Sequence, residues 1–151
     1  MVFRSMAKDE KLENALVVDN SVMMRWLFTD GSTSNQKYAR SVLQAINAKT
    51  LTVLVPYVWV YESAFVAHFY VKQRALGYTD ATSRLDALFE LATVIRGEEI
   101  PSNLLDFAKS FAVSSYDASY LLLAMQQECP LATLDKKMRR ACKKLNGLLY
   151  K

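Results

Sequence analysis

The hydrophobic positions of the chain fall into short apolar runs, each followed by a stretch with helical spacing. Residues 16–18 form a β-rich run, and apolar residues recur at helical intervals over 20–28. A second strand is predicted over 51–55, and an unusually apolar helix follows over 57–73. Between these units, one face of an amphipathic helix is marked by Tyr38, Val42, Leu43 and Ile46.

The second half of the chain continues this alternation. Brief strands are predicted over 93–95 and 130–134, a helix over 117–127, and a candidate edge strand over 148–150. Pro101 is predicted to open another helix, because its fixed φ suits the first helical position. Three helical faces are predicted to turn inward, formed by Leu85, Leu88, Phe89 and Ala92, by Leu104, Leu105 and Ala108, and by Met138, Ala141, Cys142 and Leu145.

Apolar strands that are each followed by a helix predict an α/β fold, in which a parallel sheet is covered on both faces. Such crossovers are right-handed almost without exception. The chain has 151 residues, of which 52% are apolar, and it shows no internal repeat or linker. We therefore expect a single domain over 15–151, preceded by an N-terminal extension over 1–14.

The positive charge of the chain is concentrated at one end. The formal net charge is +4, from 19 Lys and Arg against 15 Asp and Glu. Residues 136–151 hold seven of the basic residues and no acid, so 12 basic and 15 acidic residues remain in 1–135. This asymmetry indicates one edge of the domain that faces a polyanion.

The cysteines and the single histidine bear on the compartment. Cys129, Cys142 and His68 are too few for a Cys/His zinc site and do not form a disulfide framework, which favours a reducing, intracellular setting. Residues 1–14 lack the apolar core of a secretory signal. The most apolar stretch, 50–71, contains a proline, a glutamate and the histidine, so burial explains it better than lipid. We expect a cytoplasmic protein with no membrane span.

Three aspartates lie where open α/β sheets bind ligands, just beyond the carboxyl ends of the strands. Asp19 follows the first strand, Asp135 follows the strand that ends at 134, and Asp117 opens the helix that leads into that strand. Each aspartate also has a structural explanation, since Asp is favoured at helix N-caps and in first turns. Both roles stay open for each of them at this point.

Glu62 is placed differently, because its helical neighbours three and four residues away are all apolar. These neighbours are Val58, Trp59, Phe65 and Val66. Burying an unpaired carboxylate is costly, so Glu62 is expected to be paired, protonated or bound to a metal. The structural alternatives are a buried ion pair, with Arg25 as its candidate partner, or a helix that exposes this edge.

Four carboxylates at one edge of a sheet would repel one another unless a divalent cation neutralised them. Ligands that are all oxygen favour Mg²⁺ or Mn²⁺. Such a site suits phosphoryl chemistry, in which the ion polarises the phosphate, makes a bound water nucleophilic and offsets charge on the leaving oxygen. No histidine base is then required, so His68 is expected to pack within its apolar helix.

The last predicted helix has a basic face beside these acids. Its outward residues include Lys136, Lys137, Arg139 and Arg140. They are candidate contacts for a nucleic-acid backbone, although an ordinary solvated face explains the same pattern. Tyr116 and Tyr120 lie near Asp117 and are candidates for stacking on bases, but core packing is favoured for both.

Four short motifs occur in a consistent order and spacing across nearly all of residues 16–150. They are VVDNS at 17–21, Val55-Pro56 leading to Tyr61-Glu62, SYDASYL at 115–121, and PLATLDKKMRR at 130–140. Together they resemble the motifs of PIN-domain proteins, specifically the VapC-like toxin ribonucleases of bacterial and archaeal toxin–antitoxin pairs. The resemblance implies a PIN-like α/β/α sandwich with a central, mostly parallel sheet of four to five strands.

The resemblance also implies a set of site residues. The acidic positions that gather the metal in the family match Asp19, Glu62, Asp117 and Asp135. The small hydroxyl positions that support them match Ser21 and Thr133. The family commonly has Asn three residues after the helical Glu, whereas this chain has Phe65, which removes a supporting hydrogen bond there. Residues 1–14 exceed the expected N-terminus and are either mobile or an alternative start.

The expected function is that of a Mg²⁺- or Mn²⁺-dependent endoribonuclease, the toxin of a toxin–antitoxin pair. The resemblance implies RNA products with a 5′-phosphate and a 3′-hydroxyl, frequent homodimers, and a small antitoxin that blocks the site. We expect the antitoxin to dock near residues 57–69 through an Arg or an apolar helix.

Two other functions are compatible with parts of this pattern. One is a catalytically weak PIN fold that binds RNA or protein through its basic C-terminal helix. The other is an aspartyl phosphatase of the haloacid dehalogenase type or a receiver domain, which would also place Asp after the first strand. Ser21 stands where such phosphatases have a second Asp, and Val18-Asp19-Asn20 offers only one of the paired acids typical of receivers.

Overall fold

Residues 11–97 and 99–151 are described by the structure, which is a computed structural model. They contain four strands, β1 (Ala15–Val18), β2 (Thr52–Pro56), β3 (Ala92–Ile95) and β4 (Leu131–Ala132). They also contain seven helices, α1 (Asn20–Leu27), α2 (Thr33–Lys49), α3 (Val58–Lys72), α4 (Tyr78–Leu91), α5 (Pro101–Phe111), α6 (Ser115–Gln127) and α7 (Lys136–Lys144). Most of the extension predicted over 1–14 lies outside the described residues.

The four strands form one parallel sheet in the order β3-β2-β1-β4. The inner strand β1 pairs with β2 through residues 15–17 and with β4 through Val17 and Val18. Parallel neighbours require long crossovers, and the helices supply them. The predicted α/β fold is confirmed, with a four-stranded all-parallel sheet flanked by seven helices in the part of the chain that the structure describes.

The core is centred on β1, all four of whose residues are buried. Leu16, Val17 and Val18 have no exposed surface, as expected of a strand covered on both faces. Helix α6 packs against β1 and β2 and contributes the buried Tyr120 and Leu121. The residue that follows β1 is therefore held at the middle of the sheet's carboxyl edge.

Local details differ from the sequence-based prediction. Strand β4 is shorter than the predicted 130–134, because the chain leaves the sheet at Thr133, whose hydroxyl binds Asp19. Ala92 belongs to β3 rather than to the preceding helix. Leu105 is 67% exposed rather than turned inward. The candidate edge strand near the C-terminus contributes a single parallel bridge to β4.

Two observations bear on the predicted environment. None of the helices in 11–97 or 99–151 is long and apolar enough to cross a membrane. Cys129 and Cys142 are both buried as free thiols, and burial raises the pKa of each to about 11. Both sulfurs therefore remain protonated at neutral pH.

Candidate active site

Four carboxylates lie near the carboxyl edge of the sheet, after β1, on α3, on α6 and after β4, and they interact electrostatically. Burial raises the pKa of Asp19 to about 6, and the charges of Asp117 and Asp135 contribute to this increase. Burial also raises the pKa of Glu62 to about 7, with contributions from the charges of Asp19 and Asp117. The structure thus brings the four acidic residues predicted from the sequence into one electrostatic cluster, which we call the acidic cluster.

Asp19 is a buried carboxylate whose hydrogen bonds are not those of a helix cap. It is 5% exposed, and although it stands at the N-cap of α1, its side chain accepts no capping hydrogen bond. The hydroxyls of Ser21 and Thr133 instead donate to its Oδ2 at 2.6 and 2.8 Å. The capping explanation therefore fails for Asp19, and the two predicted supporting hydroxyls contact it directly.

The supporting hydroxyls are themselves held by the segment that follows β4. The backbone N–H of Leu134 donates to Ser21 Oγ at 3.0 Å. The backbone N–H of Asp135 donates to Thr133 Oγ1 at 3.1 Å, and Arg139 Nε donates to the Thr133 carbonyl at 2.8 Å. Segments from opposite ends of the chain therefore fix the orientation of the buried carboxylate.

Glu62 is half-buried and is paired with a tyrosine rather than with a cation. The Tyr120 hydroxyl donates to Glu62 Oε2 at 3.0 Å. The ion pair with Arg25 that the sequence left open does not form, because Arg25 binds Asp30. Tyr120 is fully buried as predicted, but its hydrogen bond to Glu62 was not predicted from the sequence. Its position three residues after Asp117, on the same helical face, was the available signal.

Asp117 lies in the first turn of α6 and Asp135 is the N-cap of α7, and both also belong to the acidic cluster. Ser114 caps α6 by accepting from the backbone N–H of Asp117 at 3.0 Å. Asp135 caps α7, and its Oδ1 accepts from the backbone N–H of Met138 at 2.8 Å. Burial still raises the pKa of Asp117, against the hydrogen bonds from Ser114, and the charge of Asp135 adds to the increase. Capping is therefore shown for Asp135 and a first-turn position for Asp117, but neither role explains why the two carboxylates lie close together.

The donor set of the acidic cluster fits a hard divalent cation, although the side chains are not preassembled around one. Within 11–97 and 99–151, no three His, Cys, Asp or Glu side chains lie close enough together to form a metal site. The candidate ligand atoms are carboxylate oxygens. The raised pKa values of Asp19 and Glu62 mean that their ionised forms are destabilised, and a bound cation would stabilise those forms. Beside them, Asn20 buries its Oδ1 without a hydrogen-bond partner among the described residues.

The basic face of α7 begins directly after the acidic cluster. Lys136, Lys137 and Arg140 are exposed on this helix. The half-buried Arg139 has internal partners, because its guanidinium also lies over the Tyr38 ring, 4.7 Å from the centroid. Among the four predicted RNA-binding residues, the structure therefore leaves three facing solvent and uses the fourth to hold the end of β4.

Two side chains that were expected in the core are exposed. Tyr116, in the first turn of α6, is 63% exposed. His68 is exposed on α3, because no element within 11–97 or 99–151 covers that face of the helix. On the same helix, Tyr61, Phe65 and Phe69 are exposed, Phe65 by 74%. The sequence predicted α3 to be buried from its apolar composition, and the structure shows an exposed aromatic face instead.

Comparisons with known proteins agree with this architecture. A protein-family model described as "PIN domain" matches residues 16–144. Among solved structures, the chain is similar to PAE2754 from Pyrobaculum aerophilum, with a TM-score of 0.60 and 20% sequence identity. That similarity covers 88% of this chain and 89% of the other, and at this identity it concerns the fold. The comparison with curated protein sequences found no match.

Proposed function

This chain belongs to the PIN domain family, and from that premise we propose that it is a metal-dependent endoribonuclease. PIN domains are generally nucleases that use divalent metal ions. The observation that carries the proposal is Asp19, a buried carboxylate that serves no cap and lies among three other acids. Retaining this arrangement disfavours folding, so a role in binding or chemistry explains it better than a role in stability.

In this proposal some residues bind the metal ion and others orient the metal-binding carboxylates. Asp19 and Asp117 are proposed as the principal ligands of Mg²⁺ or Mn²⁺, with Glu62 and Asp135 completing the site. When bound there, the cation would neutralise the carboxylates, polarise the scissile phosphate and activate a water for attack. Ser21 and Thr133 orient the Asp19 carboxylate, and Tyr120 orients that of Glu62.

Cleavage of labelled RNA in EDTA, Mg²⁺ or Mn²⁺ tests this proposal. Wild-type protein is expected to give endonucleolytic products only with metal, and Asp19→Asn and Asp117→Asn to give none. Asp86→Asn is a matched control, because Asp86 is exposed on α4 and outside the acidic cluster. Wild-type rates in the Asp19→Asn and Asp117→Asn proteins would show that the assignment is wrong.

The finer proposal is that this nuclease is a VapC-like toxin, active in the cytoplasm as a homodimer and inhibited by a small antitoxin. The exposed aromatic face of α3 supports it, since Tyr61 and Phe65 leave apolar surface for a partner beside Glu62. Co-expression with a protein encoded by the adjacent small reading frame is expected to suppress cleavage. Phe65→Ser should weaken that suppression, and unchanged RNA cleavage in the co-expressed sample would contradict the proposal.

A second candidate is a catalytically weak module that binds RNA through α7. It is favoured by the lack of a preassembled group of three metal-ligating side chains in the described residues, together with the exposed Lys136, Lys137 and Arg140. Its expected signature is RNA binding that falls steeply with salt and is not accompanied by metal-dependent cleavage. The same cleavage assay, repeated over a salt series with a binding measurement, separates the two functions.

A further inference from the structure

A cavity of about 520 Å³ opens at the carboxyl ends of β2 and β3, next to the acidic cluster. Its walls include Tyr57, which follows β2, Arg96, which follows β3, and Tyr116 of α6. Tyr116 directly precedes Asp117, so the cavity and the cluster share one helical turn. Sites for small organic groups typically enclose about 300–1,000 Å³, and this cavity falls within that range.

The cavity presents flat faces on which a planar group can stack. Tyr116 is 63% exposed, although it is a large aromatic side chain next to a buried cluster. Across the cavity, the Arg96 guanidinium lies over the Tyr57 ring, 4.8 Å from the centroid. Proteins bind unstacked RNA bases on such aromatic rings and guanidinium planes.

The charged groups of the cavity match the edge of a base better than they match a phosphate. Arg96 supplies hydrogen-bond donors and Glu99 supplies acceptors, and both side chains line the cavity. A phosphate would be repelled by Glu99, whereas the edges of bases carry donors and acceptors together. A group of exposed cations that suits phosphates, Lys136, Lys137 and Arg140, lies on α7, which follows β4.

We propose that this cavity binds one nucleobase of the RNA substrate, next to the phosphate held at the acidic cluster. This inference rests on the proposed ribonuclease function. Neighbouring strands are about 4.8 Å apart, so a cavity over β2 and β3 lies about 5–10 Å along the edge from Asp19, which follows β1. In the strand order, β4 lies on the side of β1 opposite to β2 and β3, and α7 follows β4. The RNA backbone would therefore pass from α7 across the acidic cluster, with one base turned into the cavity.

Equilibrium binding to two probes tests the proposal in a cleavage-inactive Asp19→Asn background. One probe is a fluorescein-labelled, unstructured oligoribonucleotide of mixed sequence, and the other is a ribose-phosphate chain of equal length without bases. Tyr116→Ala is expected to weaken binding of the first probe about 10-fold and to leave the second within about twofold. Lys137→Ala is expected to weaken both probes equally, because it removes a backbone contact.

Two variants control for indirect effects. Tyr116→Phe keeps the ring and is expected to bind both probes as the Asp19→Asn parent does. Tyr78→Ala removes an aromatic side chain that is 74% exposed at the start of α4, beyond the far end of α3, and is expected to change neither affinity. Thermal unfolding of each variant confirms that the folded protein is being compared.

The outcomes separate this proposal from the one on which it rests. If Tyr116→Ala weakened both probes equally, or neither, the cavity would not take a base, and an apolar side chain of a protein partner would become its better occupant. That result would leave metal-dependent cleavage by the wild-type protein untouched. If instead the wild-type protein cut no RNA with metal, while Tyr116→Ala still weakened binding of the oligoribonucleotide and not of the base-free chain, the proposed catalytic function would be wrong. The proposed base site would still be supported.

Discussion

Replacing Asp19 with asparagine is expected to abolish RNA cleavage and, at the same time, to make the metal-free protein more stable. The carboxylate is 5% exposed, and burial raises its pKa from 3.8 to about 6 in spite of the hydroxyls of Ser21 and Thr133. An acid whose pKa is higher in the folded than in the unfolded chain opposes folding when it is ionised. Asparagine removes the charge while its side-chain oxygen still accepts from the same hydroxyls.

The size of the effect follows from the two pKa values. A difference between 3.8 and about 6 corresponds to about 3 kcal/mol in the free energy of unfolding, once the pH exceeds both values. At a pH well below 3.8 the carboxylate is protonated in both states and the penalty is absent. The wild-type protein should therefore lose stability relative to Asp19→Asn as pH rises from about 4 to about 6, and the difference should stay constant above that.

Thermal unfolding followed by circular dichroism in EDTA, over a pH series, measures this difference. For a chain of this length, about 3 kcal/mol corresponds to a midpoint roughly 6–12 °C higher for Asp19→Asn near pH 8. Asp86→Asn, which changes an exposed carboxylate, is the control and should follow the wild-type curve. Adding Mg²⁺ should raise the wild-type midpoint and leave that of Asp19→Asn unchanged. An Asp19→Asn protein that is less stable than wild type at neutral pH would refute the electrostatic argument.

Three further predictions concern the groups around this carboxylate. Tyr120→Phe removes the hydrogen bond to Glu62, so kcat for RNA cleavage should fall about 10-fold with little change in KM, and an unchanged kcat would contradict the positioning role. Thr133→Val should lower the free energy of unfolding by about 2 kcal/mol in urea titrations, and by less in the Asp19→Asn background, where the accepting oxygen is neutral. Lys137→Ala should reduce the slope of log Kd against log salt by about 0.7 in binding titrations with single-stranded RNA, whereas an unchanged slope would mean that this lysine contacts no phosphate.

The sequence predicts the sheet well because its strands are marked by unambiguous signals. Each apolar run is followed by a residue that ends it, as Asp19 ends β1 and Pro56 ends β2, and helical spacing then resumes. Asp19 and Asp135 were selected as site candidates for the same reason, since positions after parallel strands converge at one edge. Glu62 was selected because its helical neighbours are apolar, and the catalytic role of all four acids stays a prediction. The end of β4 was not predicted because threonine is common in strands, so Thr133 fits the strand pattern. Its hydroxyl instead donates to Asp19, a residue near the other end of the chain, and a local sequence pattern does not show that contact.

The apolar pattern of the chain does not show which helical faces are covered by other elements. Apolar composition predicts burial, but a helix on the outer layer buries only the face that meets the sheet or a neighbour. Phe65, His68 and Leu105 are exposed for this reason, and so is Tyr116. The bond from Tyr120 to Glu62 joins α6 to α3, and no local pattern records such a pairing between helices.

The pairing of β1 with β4 has a consequence for how this protein is made. Val17 pairs with Leu131, and Asp19 with Thr133, so the candidate site joins segments that lie more than a hundred residues apart. Contacts of such long sequence separation form late in folding, and a chain emerging from the ribosome contains Asp19 long before it contains β4. Until residues 131–135 have been synthesised and docked, the candidate site is incomplete. A chain that is still being translated therefore does not yet hold Asp19 by the hydrogen bond from Thr133, and the proposed cleavage activity is expected only after release.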